Sequence, residues 1–303
     1  MKIINKKEDL KSTIPLMALF VSLNLIITVL STYIPISGFI LTLFLPLIST
    51  LFCLNTKKRY FPIYFFISLG LGICVSIKDC TSTLLYLLPS LVQGLFFAIF
   101  INLKKDGTLS YFISILILFL TKISIIPLID FIYGINTIDS ILALLGLIKI
   151  KNIDLFVNLG MLTICTFEMF IVFIITKNEL KKLGYQIDLF TKISPFFILF
   201  CTVSSCISFA TQFLFYFKIS YTFLGLSLIS AIIIAGQLIK KEKLIFLIVI
   251  LVYLIIIWVE FVILLNKFGF LKTFSTFSLF GICMSLNAAI YLLCQTLEES
   301  KSK

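Results

Sequence analysis

Ten long apolar runs, each closed off by a short cluster of Lys, Asp, Pro or Gly, follow one another along the chain. They extend approximately from Thr13 to Ile34, Ile36 to Leu54, Phe61 to Ile77, Cys80 to Asn102, Leu109 to Tyr133, Asp154 to Thr176, Phe190 to Phe217, Ser220 to Ile239, Leu244 to Leu265 and Phe270 to Cys294. Runs of roughly 17 to 25 residues are long enough to cross a hydrocarbon layer about 30 Å thick as helices. They are continuously apolar, and too long for barrel strands of about ten residues with alternating polarity. A helix, moreover, satisfies its backbone within one segment, which lipid demands. The predicted fold class is all-α, a polytopic transmembrane bundle of about ten spans. The joins at Pro35 and Lys218 are tight, so either flanking pair also reads as one bent element, which leaves nine spans as the alternative.

The predicted organisation is a five-helix half over residues 1–133, an outer segment over 134–153, a second membrane half over 154–295 and a short tail at 296–303. The outer segment holds Asp139, Lys149 and Lys151 around an apolar patch from Ile141 to Ile150, too short to span. It reads either as a short interfacial or re-entrant helix or as a plain loop. The basic stretch Met1 to Lys11 has the flavour of a signal peptide. The run that follows is long, lacks a small-residue cleavage site and leads straight into another span, so it is read as the first helix.

Composition sharpens this picture. The 303 residues are 60% apolar and only 13% charged, with a mean hydropathy of +1.17, a balance with too few polar side chains to cover a water-soluble core. The formal net charge of +11 would suggest nucleic acid in a soluble protein, but its distribution gives another meaning. With the amino terminus in the cytoplasm, the inner segments hold eighteen of the 25 basic residues, in clusters at Lys2–Lys11, Lys57–Arg59, Lys104–Lys105, Lys177–Lys192, Lys240–Lys243 and the carboxyl terminus. The outer segments hold six, and Lys122 falls within a span. The asymmetry predicts both termini cytoplasmic in a multi-pass cell-membrane protein, with the basic surplus facing anionic lipid and no nucleic-acid partner.

No histidine is present, which excludes Ser-His-Asp and Cys-His catalysis, an HExxH zinc site and haem held through imidazole. There is no Gly-rich loop followed by Lys and Ser or Thr, so the chain carries no sign of binding ATP itself. No carboxylate pair stands in a catalytic setting and no internal twofold repeat is evident; no catalytic residue, cofactor or metal is predicted. Eight cysteines lie in or beside apolar runs without CxxC spacing and read as packing residues.

Ionisable groups inside spans carry more weight, because each is costly in hydrocarbon. Three stand out: Lys122, Glu168 and Glu260. Lys122 lies about 20 Å and Glu168 about 12 Å from the inner ends of consecutive antiparallel helices. Their long side chains either meet as an ion pair or snorkel to separate interfaces. Glu260, Asp130 and Asp79 sit towards outer ends, where solvation suffices. Asn24, Gln93, Asn158, Gln212, Gln237 and Asn287 either line a cavity or hydrogen-bond between helices. Ala18 and Ser22 form a small-xxx-small step that permits close helix contact. Pro46 and Pro89 read as interior positions that kink their helices, and Gly70 and Gly72 as one smooth face.

The motifs ALFVSLN at Ala18–Asn24, YIPISGF at Tyr33–Phe39, LFLPL at Leu43–Leu47 and KKRYFP at Lys57–Pro62 give the first four spans their character. In these the chain resembles the amino-terminal half of the substrate-binding S components of energy-coupling-factor (ECF) vitamin transporters. The later part carries KNELKKLGY at Lys177–Tyr185, ISPFF at Ile193–Phe197 and GLSLISAIIIAGQLIKKEK at Gly225–Lys243, and is similar to the YybS-like family of bacterial polytopic membrane proteins. The resemblance covers Thr13 to about Phe274. It implies a non-catalytic subunit that holds a small molecule between helices near the outer face and takes its energy from a coupling membrane subunit and ABC-type ATPases. In S components a small-xxx-small step on the first helix docks onto the coupling subunit; Ala18 and Ser22 match it, with Ser in the second place. Two other classes stand beside this one: a membrane scaffold or assembly factor for envelope or sporulation proteins, and a self-contained secondary carrier coupled through Lys122 and Glu168.

Overall fold

The computed structural model describes residues 10–34, 40–76, 80–81, 83–103, 107–144, 157–184, 195–213, 216, 218–238 and 277–301. These are helical almost throughout, and no β-strand occurs among them. In chain order the helices are α1 (Leu10–Tyr33), α2 (Leu45–Asn55), α3 (Phe61–Val75), α4 (Leu88–Asn102), α5 (Gly107–Tyr133), α6 (Thr137–Leu144), α7 (Val157–Lys182), α8 (Pro195–Phe213), α9 (Lys218–Leu238) and α10 (Phe277–Lys301). A 3₁₀ turn at Lys58–Tyr60 leads into α3 and a π-helical turn at Thr83–Leu87 leads into α4.

Seven stretches of the described residues are long and apolar enough to cross a membrane: Lys11–Ser31, Lys58–Val75, Thr83–Asn102, Gly107–Tyr133, Val157–Lys182, Pro195–Gln212 and Lys218–Leu238. The second expected span is a shorter apolar helix, Ile40–Asn55, with a turn at Leu43 and Phe44, and the apolar part of the tenth is Leu279–Leu292. The ninth, Leu244–Leu265, and the join at Pro35 lie outside the described residues. At Lys218 the bent-element alternative does not hold, because α8 and α9 are separate helices that fold back on each other. There the Ser208 hydroxyl donates to the Ser220 carbonyl at 3.0 Å and the Ser220 hydroxyl donates to the Ser208 carbonyl at 2.7 Å.

The polarity of the helix faces shows which solvent they meet. On α1 the buried side presents Thr13, Asn24 and Thr28 beside Met17, Phe20 and Val21, while Ile14, Leu19, Leu23 and Ile26 are exposed. Along α5, Ser110, Ser114 and Lys122 are buried and Leu120, Leu128 and Phe131 are exposed. α9 repeats the pattern, with Ser220, Ser227, Ser230 and Gln237 inside and Ile232 outside. A soluble helix places its polar side outward. Polar groups turned in and large apolar ones turned out on helices of spanning length are the mark of a polytopic membrane protein.

The chain divides into two compact units, Met1–Ile148 with Cys165–Asp188, and Lys149–Ile164 with Leu189–Lys303. The first unit thus takes in most of the sixth run as well as the first five. Phe173 of α7 packs against Phe97 and Tyr111, with ring centroids 6.0 and 5.6 Å apart, and the Tyr111 hydroxyl donates to the Thr166 carbonyl. At the centre of this unit lies α2, nine of whose eleven residues are buried. Phe52 stacks on Tyr64 at 4.1 Å between centroids, and Phe20 meets Phe52 edge-on.

Pro15 and Pro127 lie inside α1 and α5. Pro46 and Pro62 occupy the first turns of α2 and α3, where the missing N–H costs no helical hydrogen bond, so Pro46 does not stand in a helix interior as the sequence suggested, whereas Pro89 does, within the helical stretch Thr83–Asn102. Immediately ahead of Pro89 the helix widens into the π turn, which accommodates the lost backbone donor and the ring. Gly70 and Gly72 also part company: the first is open, while a Cβ on the second would meet Leu87 at 2.8 Å and Thr83 at 3.0 Å.

The segment after α5 is helical from Thr137 to Leu144; residues 145–153 lie outside the described residues. Gly134 ends α5 in the left-handed region at φ 64°. The Asp130 carboxylate then accepts the Thr137 N–H at 2.8 Å, and Asn136 Oδ1 accepts the Asp139 N–H at 3.2 Å. Asn136→Ala is expected to weaken α6 by about 1 kcal/mol, read as a roughly five-fold rise in amide exchange over Thr137–Leu144. Unchanged exchange would remove Asn136 as the cap.

In the second unit α8, α9 and α10 meet on small residues. The Ser205 and Ser227 hydroxyls are 2.6 Å apart, Ser205 also donates to the Cys201 carbonyl, and the Cys201 thiol donates to the Gly281 carbonyl at 3.2 Å. A Cβ on Gly281 would lie 3.3 Å from the Cys201 sulfur and closer still to both hydroxyls.

Candidate functional site

Within the first unit α5 and α7 bring Lys122 and Glu168 together: the Lys122 ammonium donates to Glu168 Oε2, forming an ion pair. The two side chains are 8% and 13% exposed. Of the two arrangements open to the sequence, the structure adopts the pair and not separate snorkelling. The Lys122 nitrogen also lies 5.8 Å from the centre of the Tyr86 ring, within cation–π range. Tyr86 belongs to the π turn, so the local widening of the helix ahead of Pro89 carries the aromatic face that meets the ammonium.

About two turns beyond Tyr86, on α4, Gln93 is buried, and its amide donates to the Met169 sulfur at 3.4 Å. Cys165, one turn before Glu168, is buried as well. A charged pair and a phenol ring thus meet from α5, α7 and the turn ahead of α4 in the interior of the first unit. In hydrocarbon each of these groups is costly to bury, and the pair most of all. Among the described residues the Glu168 carboxylate accepts this one hydrogen bond and the Lys122 ammonium donates this one. A carboxylate has about four acceptor positions and an ammonium three donors, so the pair retains hydrogen-bonding capacity.

A second buried polar group, missed by the sequence reading as a cluster, joins α1, α2 and α3. The Asn24 amide donates to the Tyr64 hydroxyl at 2.7 Å and weakly to Ser68 at 3.5 Å, while Ser49 and Tyr64 are 3.4 Å apart. All four residues are fully buried, and Asn24 Oδ1 has no hydrogen-bond partner among the described residues. The alignment of Asn24 with Tyr64 across forty residues leaves no trace in local spacing.

The other singled-out residues are not gathered into the ion-pair region. Ala18 and Ser22 lie on the exposed side of α1, and the Ser22 hydroxyl donates to the Ala18 carbonyl within the helix at 2.8 Å. Asn158 donates to Thr222 at 3.0 Å in the second unit, and Asn287 turns back to the Cys283 carbonyl. Gln237 is buried with neither amide atom hydrogen-bonded among the described residues, and Gln212 is half-buried. Glu260 and Asp79 lie outside the described residues. Among the described residues Cys53, Cys74, Cys80, Cys165, Cys201, Cys206 and Cys283 form no disulfide, and no three His, Cys, Asp or Glu side chains gather as a metal would need.

The helices and their inverted polarity define the class, an integral membrane protein of several spans. No protein-family model matches the chain, and neither a curated protein nor a solved structure matches it.

Proposed function

We propose that this protein is a non-catalytic, small-molecule-binding subunit of a membrane transporter, akin to the S components of ECF transporters. In this reading it resides in a bacterial plasma membrane with about ten spans and both termini in the cytoplasm, as the basic clusters favour. The carrying observation is the Lys122–Glu168 pair: a buried charge pair with unused hydrogen-bonding capacity, inside a spanning bundle, is the kind of feature that marks a ligand pathway. Energy would come from an ABC-type ATPase pair through a coupling membrane subunit. The exposed Ala18–Ser22 step of α1 is then the surface offered to that subunit.

The test is purification of the tagged full chain in mild detergent from a cell that makes such partners. Recovery with a coupling membrane protein and two ATPase subunits, together with a small molecule retained in the mass spectrum, is the expected result. Isolation as a lone, ligand-free protein with a defect confined to envelope architecture would overturn the reading in favour of a scaffold or assembly role.

A further inference from the structure

We infer that the Lys122–Glu168 region takes a zwitterion of the α-amino-acid class, whose carboxylate meets Lys122 while its ammonium meets Glu168. This rests on the small-molecule-binding reading above and names its ligand.

The pair is neutral as a whole and, among the described residues, lies beside the uncharged groups of Tyr86 and Cys165. A ligand with one charge can engage only one partner and leaves the other as a lone charge in a low-dielectric interior, an outcome that strongly disfavours binding. A neutral ligand gains little from separating the two. A ligand carrying both charges a few ångströms apart keeps every charge compensated. It inserts between the partners and replaces one ion pair by two. The atoms available match this need, because Glu168 has acceptor positions and Lys122 has N–H groups that form no further hydrogen bond among the described residues. The uncharged rim distinguishes the site from one for a dianion or a dication, which would call for further charges of one sign.

The experiment uses the full chain in detergent. L-Leucine, L-phenylalanine, L-serine, L-lysine and L-glutamate are added at millimolar concentration and binding is read by thermal unfolding and calorimetry. At least one is expected to raise Tm. The N-acetyl and methyl-ester forms of the best binder each retain one charge, and each is expected to bind at least about 30-fold more weakly, following the cost of an unpaired buried charge. The Lys122→Met, Glu168→Gln double variant keeps the packing volume and removes both charges; it is expected to fold and to lose binding by a similar factor. Absence of any Tm shift with all five amino acids overturns the proposal. Binding of either single-charge derivative as tightly as the parent overturns it too, as does full affinity in the double variant. Should the double variant not fold, the derivative series alone decides. Recovery of the ATPase and coupling partners alongside a negative amino-acid series would sink this inference while leaving the subunit reading intact.

Discussion

Glu168→Ala is expected to destabilise the folded protein by about 3–5 kcal/mol, because it strands the Lys122 ammonium as an uncompensated charge inside the first unit. Lys122→Ala should cost a similar amount by stranding the carboxylate. The double replacement Lys122→Met, Glu168→Gln should return to within about 1 kcal/mol of the parent, since two buried charges that attract each other gain little net stability over well-packed neutral groups of like size. The signature is therefore strong non-additivity, measured as a double-mutant cycle by detergent-titrated unfolding. Single variants with stability near that of the parent would mean that each charge reaches water or a headgroup once its partner is gone, and the pair would lose its standing as an interior feature. The cycle also separates structure from function: a pair kept only for stability would be dispensable in the neutral double variant, whereas a ligand-binding pair would not.

That pair is the part of the site most legible in the sequence, and the reason is physical. A Lys or Glu in the middle of a 25-residue apolar run is conspicuous, and two on consecutive antiparallel helices have few other partners. Asn24, Ser49, Tyr64 and Ser68 gave no such signal. Serine and threonine commonly turn their hydroxyls to the carbonyl one turn back, as Thr28 and Thr50 do here, so their presence in a span does not say which helix they face. The helices themselves were legible from length and hydropathy. Which face of each is buried was not, because Leu19 on the exposed side of α1 and Leu45 at the centre of the unit are equally apolar. In water the alternation of polar and apolar residues marks the inner side; in lipid both sides are apolar and the period fades. Pro46 looked interior because the apolar run extends past it, yet α2 begins at Leu45, the residue before it. The apolar segment Thr83–Leu87 lies in continuous register with α4, and nothing in its composition separates a π turn from an α turn except the proline two residues on.

Gly94→Ala provides the sharpest check on how α2 and α4 cross. A Cβ at position 94 would lie 2.8 Å from the Thr50 nitrogen and 2.9 Å from the Pro46 carbonyl oxygen, and closer still to Ser49 Cβ. These atoms belong to a helix whose residues are buried along most of its length, so they cannot yield as the end of a flexible side chain would. Two effects oppose each other. Alanine favours a helix over glycine by up to about 1 kcal/mol. Forcing extra volume into a backbone-to-backbone contact costs about 1–3 kcal/mol and sometimes more, and here several rigid contacts below 3 Å put the cost at the upper end. The expected outcome is a net loss of about 2 kcal/mol or more for Gly94→Ala. Gly70→Ala in α3 has nothing within 4 Å of the new methyl group and should be neutral or up to about 1 kcal/mol stabilising. Equal behaviour of the two variants in unfolding titrations would show that α4 does not cross α2 at Gly94, and with that contact gone the central burial of α2 would need another explanation.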